Sequence, residues 1–118
     1  MFSKDYFSED EFKKCVPSCL KSQMDSDFLK RLNKARKIAN IPFVLNCAFR
    51  SVEWDLSKGR TGTSYHCKGR AVDIRCNDSY SRAIIVKALF DAGFNGIGIA
   101  DSFIHCDDRQ LKQIWLYE

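Results

Sequence analysis

Proline and histidine are scarce in this chain of 118 residues, with two of each, and glycine is held to six. So little proline and glycine excludes a collagen-like or low-complexity polymer, and no internal repeat, linker or break in composition divides the chain. No apolar run approaches bilayer-spanning length, so membrane insertion is not expected. The opening stretch MFSKDYFSEDEFKK lacks the basic-then-apolar plan of a secretion signal. The six cysteines, Cys15, Cys19, Cys47, Cys67, Cys76 and Cys106, include no CxxC pair, which removes the usual form of a cysteine-built zinc site. A disulfide framework belongs to secreted chains, so these thiols are expected to be free and buried. Cys15 and Cys19 lie one helical turn apart, which suits packing on one helix face better than a metal half-site.

What remains is an ordinary globular composition, 45% apolar and 29% charged, in a length that suits one domain over residues 1–118. The net charge is +4, with its densest run in KRLNKARK, whose helical spacing reads as a solvated face. No aromatics interleave with those cations, so nucleic acid is not an expected partner. A monomer is expected.

Helical signals come first. Ser8 is placed to cap a short helix, with Glu11 to return the bond and Phe7 to staple onto Phe12; the helix must end before Pro17. A second helix is predicted over about Asp25 to Ala39, with Phe28, Leu29, Leu32, Ala35, Ile38 and Ala39 along its inner face, stopped by Asn40-Ile41-Pro42. FVLNCAF reads as a buried strand ending at Arg50-Ser51, and the following VEWDLSKGRTGTS as a loop. RAVDIR is a strand after Gly69, followed by a helix capped near Asp78 or Ser79 and stopped at Gly93, with Ile84, Ile85, Ala88, Leu89 and Ala92 inward. GIGIA and FIHCD are predicted to pair as a hairpin around Ala100–Ser102, with LKQIWLY packing back onto the sheet. Helices lead and strands cluster later, which predicts a small α+β domain whose mostly antiparallel sheet packs against helices.

The two histidines, His66 and His105, each sit beside a strand-like segment, and each is followed by an aspartate at a strand edge. A catalytic zinc takes three protein ligands from neutral imidazoles and carboxylates and leaves one position open. His66 and Asp73 converge if the chain turns at Gly69, and Ala71 on the same strand face leaves room beside Asp73. Val72 and Ile74 then face the core. His105, from a neighbouring strand, completes the set. Cys67 and Cys106 point away by alternation and rank as non-ligands.

Ser64-x-His66-x-x-Gly69-x-Ala71-x-Asp73 with the later His105 resembles the zinc peptidases that cut D-amino-acid-containing peptides of bacterial walls. That group includes D-Ala-D-Ala carboxypeptidases and the L-alanyl-D-glutamate endopeptidases of phage lysis systems, and the hedgehog signalling domain shares the metal arrangement. The resemblance spans about residues 43–117, takes in Arg50-Ser51 after the first strand, and extends through GIGI and FIHCDDR to a late tryptophan, as in a short phage and bacterial branch.

The resemblance implies that His66, Asp73 and His105 hold one zinc per chain, and that Arg50 binds a substrate carboxylate or polarises the scissile carbonyl. Ser64, the first residue of the motif, is a candidate substrate contact. Many relatives carry an acidic base three residues before the last histidine, where this chain has Ser102. Asp107 shares the parity of His105 on an extended strand and is the favoured substitute, with Asp101 the other; Asp107 could instead orient a ligand from behind. The implied activity is hydrolysis of peptidoglycan stem peptides as a carboxypeptidase or endopeptidase, an endolysin-like role. A catalytically silent zinc-binding interaction domain is the alternative that Ser102 favours. Without a secretion signal, such an enzyme would be made in the cytoplasm and reach the wall through lysis, a pore-forming partner or a virion. Trp54 is a candidate to line the cleft.

Overall fold

The computed structural model describes residues 5–117; the opening MFSK and the last residue of the expected 1–118 domain lie outside the described residues. Helices α1 (Glu9–Lys13) and α2 (Ser26–Ala39) precede strand β1 (Leu45–Cys47) and helix α3 (Val52–Ser57). Then come β2 (Ala71–Arg75), α4 (Ser79–Asp91), β3 (Gly96–Ile99), β4 (Phe103–Asp107) and β5 (Gln113–Leu116). The five strands form one sheet in the order β1-β2-β4-β3-β5, antiparallel except where β5 runs parallel to β3. This is the α+β architecture that the order of elements predicts.

Local chemistry accounts for the helices. Glu11 Oε2 accepts the Ser8 N–H at 2.7 Å at the start of α1, and the Phe7 and Phe12 rings pack 6.3 Å apart. Asp25 accepts the Phe28 N–H at 2.9 Å and caps α2, which ends at Asn40 in the left-handed conformation with φ 55°. Asp78 does the same for α4 through the Ser81 N–H.

Val72 and Ile74 of β2, Ile97 of β3 and Ile104 and Cys106 of β4 face one side of the sheet. There they join Phe28, Leu32 and Ala35 of α2 and Ile85, Ala88 and Leu89 of α4 in a single buried cluster. The two helices thus cover one face, and the other is left for the site.

Three expectations need correction. Ile38 is 44% exposed rather than inward, because the α2 face against the sheet is narrower than its apolar residues suggest. The first strand is three residues long, since Val44 is exposed and a bulge interrupts pairing between Leu45 and Cys47. VEWDLS is a helix rather than a loop, capped by Ser51 Oγ accepting the Trp54 N–H at 3.0 Å.

Candidate metal centre

One row of register partners crosses the whole sheet on its uncovered face. Cys47 of β1 lies opposite Asp73 of β2, Asp73 opposite His105 of β4, His105 opposite Gly98 of β3, and Gly98 opposite Trp115 of β5. Directly opposed residues point to the same face, so pleating gathers these side chains, with a bulge bringing Cys47 into register with Asp73. Val72 and Ile74, on either side of Asp73, take the opposite face and anchor the row from below.

His66 reaches the row from outside the sheet, on the 3₁₀ turn Tyr65–Lys68. That turn closes on Gly69, whose φ of +68° favours glycine; a Cβ there would stand 2.5 Å from the Gln23 carbonyl oxygen. The Gly69 carbonyl also accepts the Asp25 N–H at 2.9 Å, tying the turn to the start of α2. On the other side the Arg50 N–H donates to the His66 carbonyl at 3.2 Å.

Both imidazoles are oriented by their outward nitrogens. His66 Nδ1 lies 2.7 Å from the Ala48 carbonyl oxygen and so donates to it, which leaves Nε2 facing Asp73 Oδ1 at 3.3 Å. His105 Nε2 lies 2.7 Å from Asp107 Oδ2, which leaves Nδ1 facing the same Asp73 oxygen at 3.0 Å. The ring centroids stand 5.2 Å apart. Each imidazole thus turns one nitrogen to the same Asp73 oxygen. With their protons held elsewhere by a carbonyl and a carboxylate, this donor set fits a zinc ion.

The electrostatics agree with that fit. Burial disfavours charge on His66, but the hydrogen bonds of Asp73 and Cys47 outweigh it and raise its pKa to about 9. His105 is raised in the same way, against burial, by Asp107 and Asp73. Burial works against ionisation of Asp73 too, yet the hydrogen bonds from His105 and His66 hold its carboxyl well below the usual carboxylate range. The raised histidines and the lowered aspartate mark a buried place that favours positive charge, as a cation-binding site requires.

Asp107 is placed differently from the expected base. It is fully buried, with Arg109 Nε 2.8 Å from Oδ1 and Nη2 2.7 Å from Oδ2, while Oδ2 also accepts from His105. The Arg109 and His105 hydrogen bonds outweigh its burial and hold its carboxyl low. Asp107 borders the cleft, and with both oxygens engaged it is placed to orient His105. Gly96 makes room for this pair, since a Cβ there would stand 2.0 Å from Asp107 Oδ1. Asp101 and Ser102 are exposed in the β3–β4 turn and do not line the cleft.

Arg50 and Ser64 do reach the cleft, and they are held from behind by a residue that sequence reasoning missed. Asp55 of α3 is fully buried, with Oδ1 2.9 Å from Arg50 Nε and 3.8 Å from Arg60 Nη1. The Arg50 N–H points off the line to that oxygen, so charge rather than a well-formed hydrogen bond holds the pair. Ser64 Oγ donates to Asp55 Oδ2 at 3.3 Å and accepts from Arg50 Nη2 at 3.2 Å. Cys67 Sγ lies 3.1 Å from the same carboxylate, and Cys106 is buried in the core, so both point away from the metal position.

Cys47 was also missed. Its Sγ, a nitrogen of His66 and an oxygen of Asp73 all lie within 4.8 Å of one another. Trp115 closes the far side by lying across Gly98 with its ring 5.4 Å from His105 and under the Arg109 guanidinium at 4.5 Å. Trp54 lines an adjoining hollow together with Cys47.

A fold of this kind, with two histidines and an aspartate converging on a cationic cleft, defines a metallohydrolase class. A family model described as Peptidase M15 matches residues 5–107, nearly the whole chain. The chain belongs to the M15 peptidases, a family of zinc metallopeptidases. The match begins well before residue 43, so the N-terminal helices belong to the family domain as well. No curated protein gives a match.

Proposed function

We propose that this zinc peptidase is an endopeptidase acting on the stem peptides of bacterial peptidoglycan. The observation that supports it is the run of the groove. Two hollows of about 400 and 450 Å³ share Arg50, Arg60, Asp73 and Phe103, so the cleft does not end at Arg50 but continues past it along Cys47 and Trp54. A carboxypeptidase needs a pocket closed by a cationic clamp, whereas an endopeptidase needs a passage for chain on both sides. The arginines of the groove suit a peptide that carries carboxylates, as stem peptides do.

When bound, zinc supplies Lewis acidity to a carbonyl and activates water near neutral pH. His66 and His105 present lone pairs because Ala48 and Asp107 hold their other nitrogens. Arg50, steadied by Asp55 and Ser64, offers its guanidinium to the scissile carbonyl oxygen or to a neighbouring carboxylate. Trp115 and Tyr65 wall the cleft and limit water around the reacting bond. With Asp107 engaged by Arg109 and Asp101 outside the cleft, solvent or a substrate carboxylate would take the proton of the attacking water and return one to the departing amine.

The test is digestion of purified peptidoglycan and of synthetic stem peptides by the zinc-loaded protein, with products identified by mass spectrometry. Internal cleavage with new amino termini is expected. Release of free D-alanine alone would establish a carboxypeptidase instead. No cleavage by protein carrying one zinc would select the silent binding domain.

A further inference from the structure

We propose that Cys47 is a fourth protein ligand of the same ion, so that at rest the site is closed by a thiolate that must leave before substrate is processed. This rests on the zinc site described above and goes beyond it. The first support is the backbone. Without an irregularity, pairing of Leu45 with Ile74 would continue to Cys47 with Val72, and Cys47 would face the core as Leu45 does. The bulge between Leu45 and Cys47 adds one residue, so that Cys47 pairs with Asp73 and its side chain turns to the site face. Bulges re-aim side chains in this way beside active sites.

The surroundings of the sulfur are the second support. Sγ lies 3.7 Å from Nδ1 of His66, the nitrogen turned to Ala48, so the sulfur flanks the ring and must turn toward Nε2 to reach the ion; Arg50 Nη1 stands 4.0 Å away on another side. The three candidate donor atoms of Cys47, His66 and Asp73 already cluster within 4.8 Å of one another. Cys47 is buried, yet it borders the hollow beyond Asp73, so its side chain has space to swing out along the groove. On ligation the S–H bond gives its proton to solvent and the sulfur forms the bond to zinc. The resulting Cys-Asp-His-His set has the four donors of closed structural sites, whereas catalytic sites keep one position open. Release of Cys47 reopens it, and the active protein then carries the three-ligand site.

The test replaces zinc with cobalt(II) in the wild type and in Cys47→Ser, with metal content measured on both. Cobalt-bound wild type should show an intense near-ultraviolet thiolate-to-metal charge-transfer band, lost in Cys47→Ser although that variant still binds cobalt. Affinity of the variant should fall by more than the roughly 10- to 100-fold that loss of an outer partner costs. One cobalt per chain without the band, or a band that survives in Cys47→Ser, would overturn the thiolate ligand and leave the three-ligand site standing. Failure of the wild type to bind cobalt or zinc at all would defeat both. Should Cys47→Ser not fold, peptide-mapped alkylation of wild-type Cys47 decides: protection by zinc is expected, and equal modification with and without zinc would overturn the proposal.

Discussion

The meeting of His66, Asp73 and His105 was legible from the sequence because two histidines and a buried aspartate are costly anywhere else and because Gly69 fixes how the first two approach. Asp55 was not legible. Its carboxylate matters only once α3 carries it beneath Arg50 and Ser64, at a distance along the chain that no local pattern encodes. Cys47 was hidden for a different reason, since alternation from Leu45 assigns it to the core and one inserted residue reverses that assignment. Asp107 has the expected parity with His105 and is hydrogen-bonded to both His105 and Arg109. Replacing it with Asn removes the Arg109 ion pair and weakens the grip on His105, so zinc affinity should fall about 10- to 100-fold, measured by chelator competition. The pH profile of zinc-saturated Asp107→Asn should keep its limbs; loss of the acidic limb would restore Asp107 as the base. Proton linkage provides a second check. His66 in the metal-free protein, with its pKa raised to about 9, holds a proton at neutral pH that zinc must expel. Apparent zinc affinity should therefore rise with pH and level off above about 9, with proton release seen by calorimetry in buffers of different ionisation enthalpy.

At the scale of elements, capped and amphipathic segments were the readable ones. Asp25 and Asp78 mark the starts of α2 and α4, and the hairpin of β3 and β4 follows from two apolar runs around a polar turn. The helix α3 was missed because six residues show no full apolar period, and only Ser51 announces it. The tail was expected to pack on the sheet; that it joins as a strand parallel to β3 depends on pairing across the β3–β4 hairpin, which sequence spacing does not reveal. The junction between the 3₁₀ turn and α2 is the element contact on which the site most depends. In Gly69→Ala the new methyl meets the Gln23 carbonyl oxygen at 2.5 Å and the left-handed backbone adds strain of about 1–2 kcal/mol. The variant should melt several degrees lower and bind zinc more weakly, by thermal denaturation and metal titration; a wild-type melting curve and affinity would contradict the proposed coupling of turn to site.

Across the whole molecule, the sheet divides the labour. One face is sealed by α2 and α4 around an apolar core, and the other carries a line of side chains running from Cys47 to Trp115. Two glycines in β3 keep that face low enough for Asp107, Arg109 and Trp115 to fold over it. Membership in the M15 peptidases rests on the match over residues 5–107, and the convergence of His66, Asp73 and His105 gives that membership a chemical centre. The most direct measurement is metal content by mass spectrometry of wild type and His66→Ala purified in parallel. The account predicts one zinc per chain in the wild type and its loss in a folded His66→Ala. A folded wild type that takes up no zinc even when supplied with it, or a His66→Ala variant that retains a full equivalent, would contradict it.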